Sequence, residues 1–332
     1  MIVKEKIDFV ITWVDESDAL WKKSKDNYAL EYNMKLNDAS RYRDWGFLKY
    51  WFRSVEKNAP WVNRIYFVTE GHLPEWLDLS YEKLKVIKHS DFIDENYLPT
   101  FNSNVIELNF SKLPGLSEHF VSFNDDMFLN KTVYPSDFFK KGFPKDIGVF
   151  SPVIPLEKTI DSIVLNNVEI INRNFSKSKL LKNNFFKFFN LKYKKHFVKN
   201  VCTLPWNHIL GFYDNHIPIS YKKSIFEKVY KLENDRISNT LKNRFRTKED
   251  ISHWLIRYWQ ICEGKFYPRS SSFGAYYNIT QNPVDIVEEL KSSKHKVICL
   301  NDNDSLTDYE KAKKMILREF EKKYNDKSRF ER

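Results

Sequence analysis

Short apolar runs at 8–14, 64–69, 84–88, 119–123 and 296–300 alternate with stretches of helical periodicity. That alternation predicts an α/β fold of Rossmann-like type, a mostly parallel sheet flanked by helices. Breakers gather at Gly142, Pro144, Pro152 and Pro155, and the next strand-like run comes only near the C-terminus. The expected organisation is one domain in two parts, 1–155 and 213–332, separated by a basic, mainly helical insertion at 156–212. There are no internal repeats and no low-complexity linkers.

Within the insertion, Lys and Arg crowd 173–199 and are interleaved with Phe, Leu and Tyr at roughly helical spacing. Two readings fit: a basic amphipathic helix or helical pair lying on a surface, or a helix whose Phe residues fill the core while its lysines face water. The 332 residues are 42% hydrophobic and 16% aromatic, ample for a core. A net charge of +10 suits nucleic acid, an anionic membrane surface or an acidic substrate. The basic run carries no nucleic-acid module signature, so no nucleic-acid partner is expected. Charges at positions 4, 5 and 6 argue against a signal peptide, and no apolar run approaches the roughly 20 residues that span a bilayer. The expected location is cytoplasmic, with peripheral contact at the inner face of the membrane open to the basic segment. Cys202, Cys262 and Cys299 lack the spacing of a zinc site or disulfide frame and read as buried thiols.

Eight glycines form neither GxGxxG nor GxxxxGK[ST], and neither GxSxG nor HExxH occurs. Dinucleotide dehydrogenases, P-loop NTPases and the commonest hydrolases are thereby disfavoured, and phosphate must be met by side chains and metal. The densest candidate chemistry is at 120–129, FVSFNDDMFL, where Asn124, Asp125 and Asp126 follow an apolar run. Adjacent carboxylates at a strand end suit a hard cation and a nucleotide phosphate; an Asn-Asp turn between two strands is the alternative. At 7–18, IDFVITWVDESD delivers Trp13, Asp15 and Asp18 to a strand end, as a base, ribose or metal contact, or with Asp15, Ser17 or Asp18 as a helix cap. Arg41, Arg43 and Arg53 are candidate phosphate forks. LPTFNSNVIE at 98–107 sets Asn102, Ser103 and Glu107 near a Pro-initiated turn. Asn301, Asp302 and Asn303 read as pocket groups or as an Asx turn. Arg246 and Asp250, four apart, would pair on one face of a helix.

These blocks, together with NHIPISYKK at 215–223, FRTKEDIS at 245–252, ICLNDN at 298–303 and KSRFE at 327–331, resemble the Stealth proteins across nearly the whole chain. Glu16 stands where many relatives carry Gly, Arg43-Asp44 departs from their pattern, and 156–212 matches least well. The resemblance implies a sugar-1-phosphate transferase of bacterial capsular or exopolysaccharide synthesis, related to the lysosomal-enzyme N-acetylglucosamine-1-phosphotransferase. It would take a hexose or N-acetylhexosamine 1-phosphate from a UDP-sugar to a saccharide or phosphopolysaccharide hydroxyl and release UMP.

Phosphoryl transfer needs charge neutralisation, an activated nucleophile and in-line positioning. On the resemblance, Asp125 and Asp126 would hold Mg²⁺ or Mn²⁺, Arg43 and Arg246 would neutralise phosphate, and His216 would be the general base. Trp13, Asp15, Asn102, Ser103, Asn124 and Asn301 would line the substrate pocket. His216 is expected in a loop before a helix starting near Tyr221. The competing reading is a metal-dependent nucleotide-sugar glycosyltransferase, which would release UDP.

Overall fold

The computed structural model describes residues 5–15, 17–30, 45–156, 159–302, 306 and 308–332. The chain opens with β1 (Ile7–Thr12), α1 (Ala19–Ala29), α2 (Leu48–Asn58), β2 (Ile65–Thr69), β3 (Leu84–Lys88), α3 (Ser103–Leu108) and β4 (His119–Phe123). It continues through β5 (Met127–Leu129), α4 (Pro135–Phe138), β6 (Phe139–Lys140), β7 (Phe143–Asp146), α5 (Asp161–Asn174), α6 (Lys177–Phe188) and α7 (Phe197–Cys202). The last part holds β8 (Ile219–Lys222), α8 (Lys223–Leu232), α9 (Asn234–Leu241), α10 (Trp254–Cys262), β9 (Tyr267–Pro268), β10 (Gly274–Asn278), α11 (Val284–Ser292), β11 (Val297–Asn301) and α12 (Tyr309–Lys323).

The central sheet has the order β3-β2-β1-β4-β8, parallel throughout except for β8, which runs antiparallel to β4 with Val121 opposite Ser220. A second sheet, β10-β11-β5, and a small third one, β6-β7-β9, complete the strands. Because side chains alternate across a strand, the central strands feed two cores. Phe9, Ile11, Ile65, Phe67, Val121 and Phe123 face Trp51 and Phe52 of α2 and Ile316 and Phe320 of α12. Val10, Tyr66, Val68 and Phe120 face the other way, onto α3, α5, α8 and α10. Strands buried on both faces read as continuous apolar runs, which is why β1, β2 and β4 stood out in the sequence.

Several expectations change. The helix anticipated near Tyr221 begins at Lys223, because residues 219–222 form β8 instead. Arg246 and Asp250 do not pair on a helix: the intervening segment is non-helical, and the buried Asp250 carboxylate accepts from Asn102, Asn104, Asn243 and Thr247. Cys262 and Cys299 are buried, but Cys202 is exposed. In the basic segment, Leu180 and Phe188 enter the core while many lysines face water. Among the described residues, no helix is long and apolar enough to cross a membrane.

Candidate active site

Turns at the C-terminal ends of β1 and β4, the end of β11 and the loops before β8 and α10 surround a cleft of about 450 Å³. This is where open α/β sheets bind ligands, because strand ends there present backbone and side-chain groups unused by the sheet. The 124–126 turn links β4 of the central sheet to β5 of the second, and its residues line the cleft.

Asp126 is fastened to β11 twice. Its carbonyl accepts from Leu300 N at 2.8 Å, and its Oδ2 accepts from Cys299 Sγ at 3.2 Å. Burial raises the Asp126 pKa, against the opposing effects of His216 and the Cys299 hydrogen bond. Burial and the neighbouring Asp126 charge raise the Cys299 pKa, which keeps the thiol protonated as a donor. The Oδ1 of Asp126 is buried and has no hydrogen-bond partner among the described residues.

His216 lies between two carboxylates. Its Nε2 is 3.9 Å from Asp126 Oδ2 and its Nδ1 is 4.0 Å from Asp214 Oδ2, with the rings of Tyr276 and Trp254 edge-on around it. Its φ of 48° is left-handed, a conformation held by surrounding structure at a cost of about 1–3 kcal/mol for a non-glycine residue. Behind it, Asp214 accepts from Arg257 Nη1 at 3.3 Å, and Arg257 forks onto Asp146 from Nε and Nη2, each at 2.9 Å. Burial works against the charge on Arg257, but Asp146 and Asp214 outweigh it and raise its pKa.

A second polar group forms the opposite wall. Arg246 Nη2 donates to Ser103 Oγ beside Glu107, whose pKa burial pushes up to about 7 despite the Arg246 charge. His253 Nε2 is 3.4 Å from Glu107, its Nδ1 meets Tyr221 Oη at 3.1 Å, and burial lowers its pKa to about 3, helped by the charges of His216, Arg257 and Arg246.

Of the residues singled out from the sequence, Trp13, Ser103, Asn124, Asp125, Asp126, His216, Arg246 and Asn301 line this cleft. Asp15 and Asn102 do not. The Asp15 carboxylate closes a turn onto Ser17, and the fully buried Asn102 caps α3 through its carbonyl while its amide donates to Asn243 O, Phe245 O and Asp250. Those bonds hold the Arg246 loop against α3, a supporting position and not one of contact. Arg53 is paired with Glu331, away from the cleft. Arg43, with Arg41, lies outside the described residues. Sequence reasoning passed over Asp214, His253, Arg257 and Cys299. Only Asp214 offered a local signal, as a carboxylate two positions before His216 in YDNHIP.

Three donor atoms, from Asp126, His216 and Cys299, lie within 4.8 Å of one another and could hold a metal ion. Together with the carboxylate of Asp125 in the same cleft, they give a mixed oxygen, nitrogen and sulfur set. An α/β fold with carboxylates, an imidazole and an arginine at its strand ends defines a candidate transferase site.

Comparison with known proteins assigns the class. Residues 5–32 match Stealth protein CR1, conserved region 1, and residues 41–146 match Stealth protein CR2, conserved region 2. The chain is 56% identical over 330 residues to the capsular polysaccharide phosphotransferase WcwK of Streptococcus pneumoniae, covering 99% of this chain and 98% of the relative. It is 45% identical over 328 residues to the exopolysaccharide phosphotransferase cps2G of Lactiplantibacillus plantarum, covering 98% and 96%. The galactosyltransferase LgtC aligns over 94% of this chain and 95% of its own at 10% identity and a TM-score of 0.39, too distant a likeness to assign chemistry. The chain belongs to the Stealth family, and it is a phosphotransferase.

Proposed function

We propose that this enzyme transfers a sugar 1-phosphate from a UDP-sugar to a saccharide hydroxyl in capsular or exopolysaccharide synthesis. The acceptor oxygen attacks the β-phosphorus, the bond from that phosphorus to the bridging oxygen breaks, UMP leaves, and a sugar–phosphate–sugar diester remains. The observation that carries this reading is His216, open to the cleft between two carboxylates and facing the Asp125-Asp126 turn. An imidazole whose Nδ1 lies 4.0 Å from the Asp214 carboxylate is suited to take the acceptor proton as attack develops. Arg246, placed beside Ser103, supplies fixed positive charge for the non-bridging oxygens. Trp13, Asn124 and Asn301 offer an aromatic face and amides for the nucleotide and sugar.

The residues fit a divalent cation, Mg²⁺ or Mn²⁺, because the buried Asp126 Oδ1 has no partner among the described residues and Asp125 lies beside it. When bound there, the cation would neutralise diphosphate charge. Nε2 of His216 cannot both ligate a cation and accept a proton. The general-base assignment therefore gives the cation to Asp125 and Asp126, whereas use of the Asp126–His216–Cys299 set would make His216 a ligand.

The test follows phosphorus. With UDP-sugars labelled at the β-phosphate and a saccharide acceptor, the label enters the saccharide product and UMP accumulates. Label retained in released UDP would overturn the proposal in favour of a metal-dependent glycosyltransferase.

A further inference from the structure

Between residues 170 and 213 the chain carries nine Lys and Arg residues and no Asp or Glu, and those nine account for all but one of its net +10. The excess charge of the protein is therefore concentrated in one segment. Four of these cations are held within the fold, Lys187 by the Gly264 carbonyl and Lys199 by the Ser151 hydroxyl among them. Lys177 is buried and donates to the carbonyls of Thr203 and Trp206, and Arg173 pairs with Glu233. Lys179, Lys182, Lys192, Lys194 and Lys195 are exposed.

The same segment also exposes large apolar side chains. Phe186 is 81% exposed, Leu191 88% and Trp206 53%, with Phe185, Val198, Val201 and Leu204 exposed beside them in the chain. They sit on a built frame. Phe186 meets Phe185 edge-on at 5.6 Å, Phe185 stacks on Phe189 at 4.5 Å, and Phe189 meets Phe197 at 5.8 Å, which ties the end of α6 to the start of α7. The Lys177 hydrogen bonds fix the 203–206 turn to the start of α6. None of these exposed side chains lines the cleft.

We propose that this face, carrying Phe186, Leu191, Trp206 and Lys192, Lys194 and Lys195, docks the enzyme on an anionic lipid bilayer. Exposed apolar tips among lysines suit the headgroup boundary: the apolar groups enter the acyl edge, Trp favours the interface, and lysine stems reach back to lipid phosphates. A second copy of this chain is a poorer occupant, because a two-fold contact would set the same strongly basic segment against itself. A soluble polyanion would engage the lysines but leave the apolar tips exposed to water. The proposal rests on the surface alone and is independent of the reaction.

The test is co-sedimentation of the full chain with phosphatidylcholine vesicles, with and without phosphatidylglycerol, at low and high salt. Expected is binding to the phosphatidylglycerol vesicles that weakens with salt. Both the triple variant Phe186→Ser, Leu191→Ser, Trp206→Ser and the charge reversal Lys192→Glu, Lys194→Glu, Lys195→Glu should weaken it about tenfold or more. Both variants should keep the wild-type circular dichroism. Quenching of tryptophan fluorescence by brominated lipid should fall in Trp206→Phe. Three results would overturn the proposal: no vesicle binding at low salt, wild-type vesicle binding by the apolar triple variant, or a dimer of the free protein that the triple variant abolishes.

Discussion

The Nε2 of His216 lies 3.9 Å from Oδ2 of Asp126, so the candidate base and the most constrained carboxylate of the cleft share one small volume. The His216 charge opposes the burial that raises the Asp126 pKa, so a change at either residue reaches the other. Chemistry that separates their roles must therefore change one without displacing the other.

For His216 the suitable change is to Asn, which tolerates the left-handed backbone that this position requires. With the fold intact by circular dichroism, steady-state kinetics should show kcat lower by about 100-fold or more and a smaller change in donor binding. A rate near wild type would remove the general-base assignment while leaving phosphoryl transfer itself standing.

Chelation should abolish transfer, with Mg²⁺ or Mn²⁺ restoring it, and Asp125→Asn or Asp126→Asn should lose activity. Because burial already disfavours the charged form of Asp126, the neutral Asn should leave the melting temperature unchanged or higher at neutral pH. Full turnover in metal-free buffer would exclude the cation site.

Glu107 makes stability depend on pH with a definite sign. Its folded pKa, about 7, stands above the ordinary value of 4.5, so the stability from its protonated form is present below about 4.5 and lost as pH rises through about 7. His253, lowered to about 3, acts oppositely: its contribution is present above 6.5 and lost as pH falls toward 3. Glu107→Gln should flatten only the alkaline side, gaining on wild type by on the order of 2 kcal/mol between about pH 5 and pH 8 in denaturant titrations. Parallel pH curves for the two proteins would show that Glu107 is ionised throughout.

Arg257→Met should destabilise the fold by about 3–5 kcal/mol, because it strands the buried Asp146 carboxylate. The double change Arg257→Met with Asp146→Leu should recover much of that loss in stability but not the activity, since Asp214 would still lack the partner that orients it toward His216. Recovered turnover in the double variant would mean that Arg257 is structural alone.

What could be read in advance follows from how far each signal reaches along the chain. β1, β2 and β4 are buried on both faces and announce themselves as apolar runs, whereas β8, ISYK, has only four residues and β10, GAYYN, is exposed at alternate positions. The Asn124–Asp126 turn was visible because its chemistry is contiguous. Asp146, Arg257 and Asp214 were not, because their grouping depends on β7, α10 and the loop before β8 meeting in space. Asn102 and Asp15 have the composition of ligand contacts, yet their polar atoms satisfy local backbone and buried partners. A sequence cannot tell an amide that meets substrate from one that meets Asp250.

The joint at Asp126 gives the C-terminal helix a long reach. β11 carries both of that residue's fastenings and pairs with β5, whose Phe128 rests on Phe320 of α12 at 4.9 Å. A Phe320→Ala substitution would thus be felt as a shift of one strand against another, displacing the Asp126 carboxylate. Lesions in α12 should then surface as lost turnover well before they surface as unfolding.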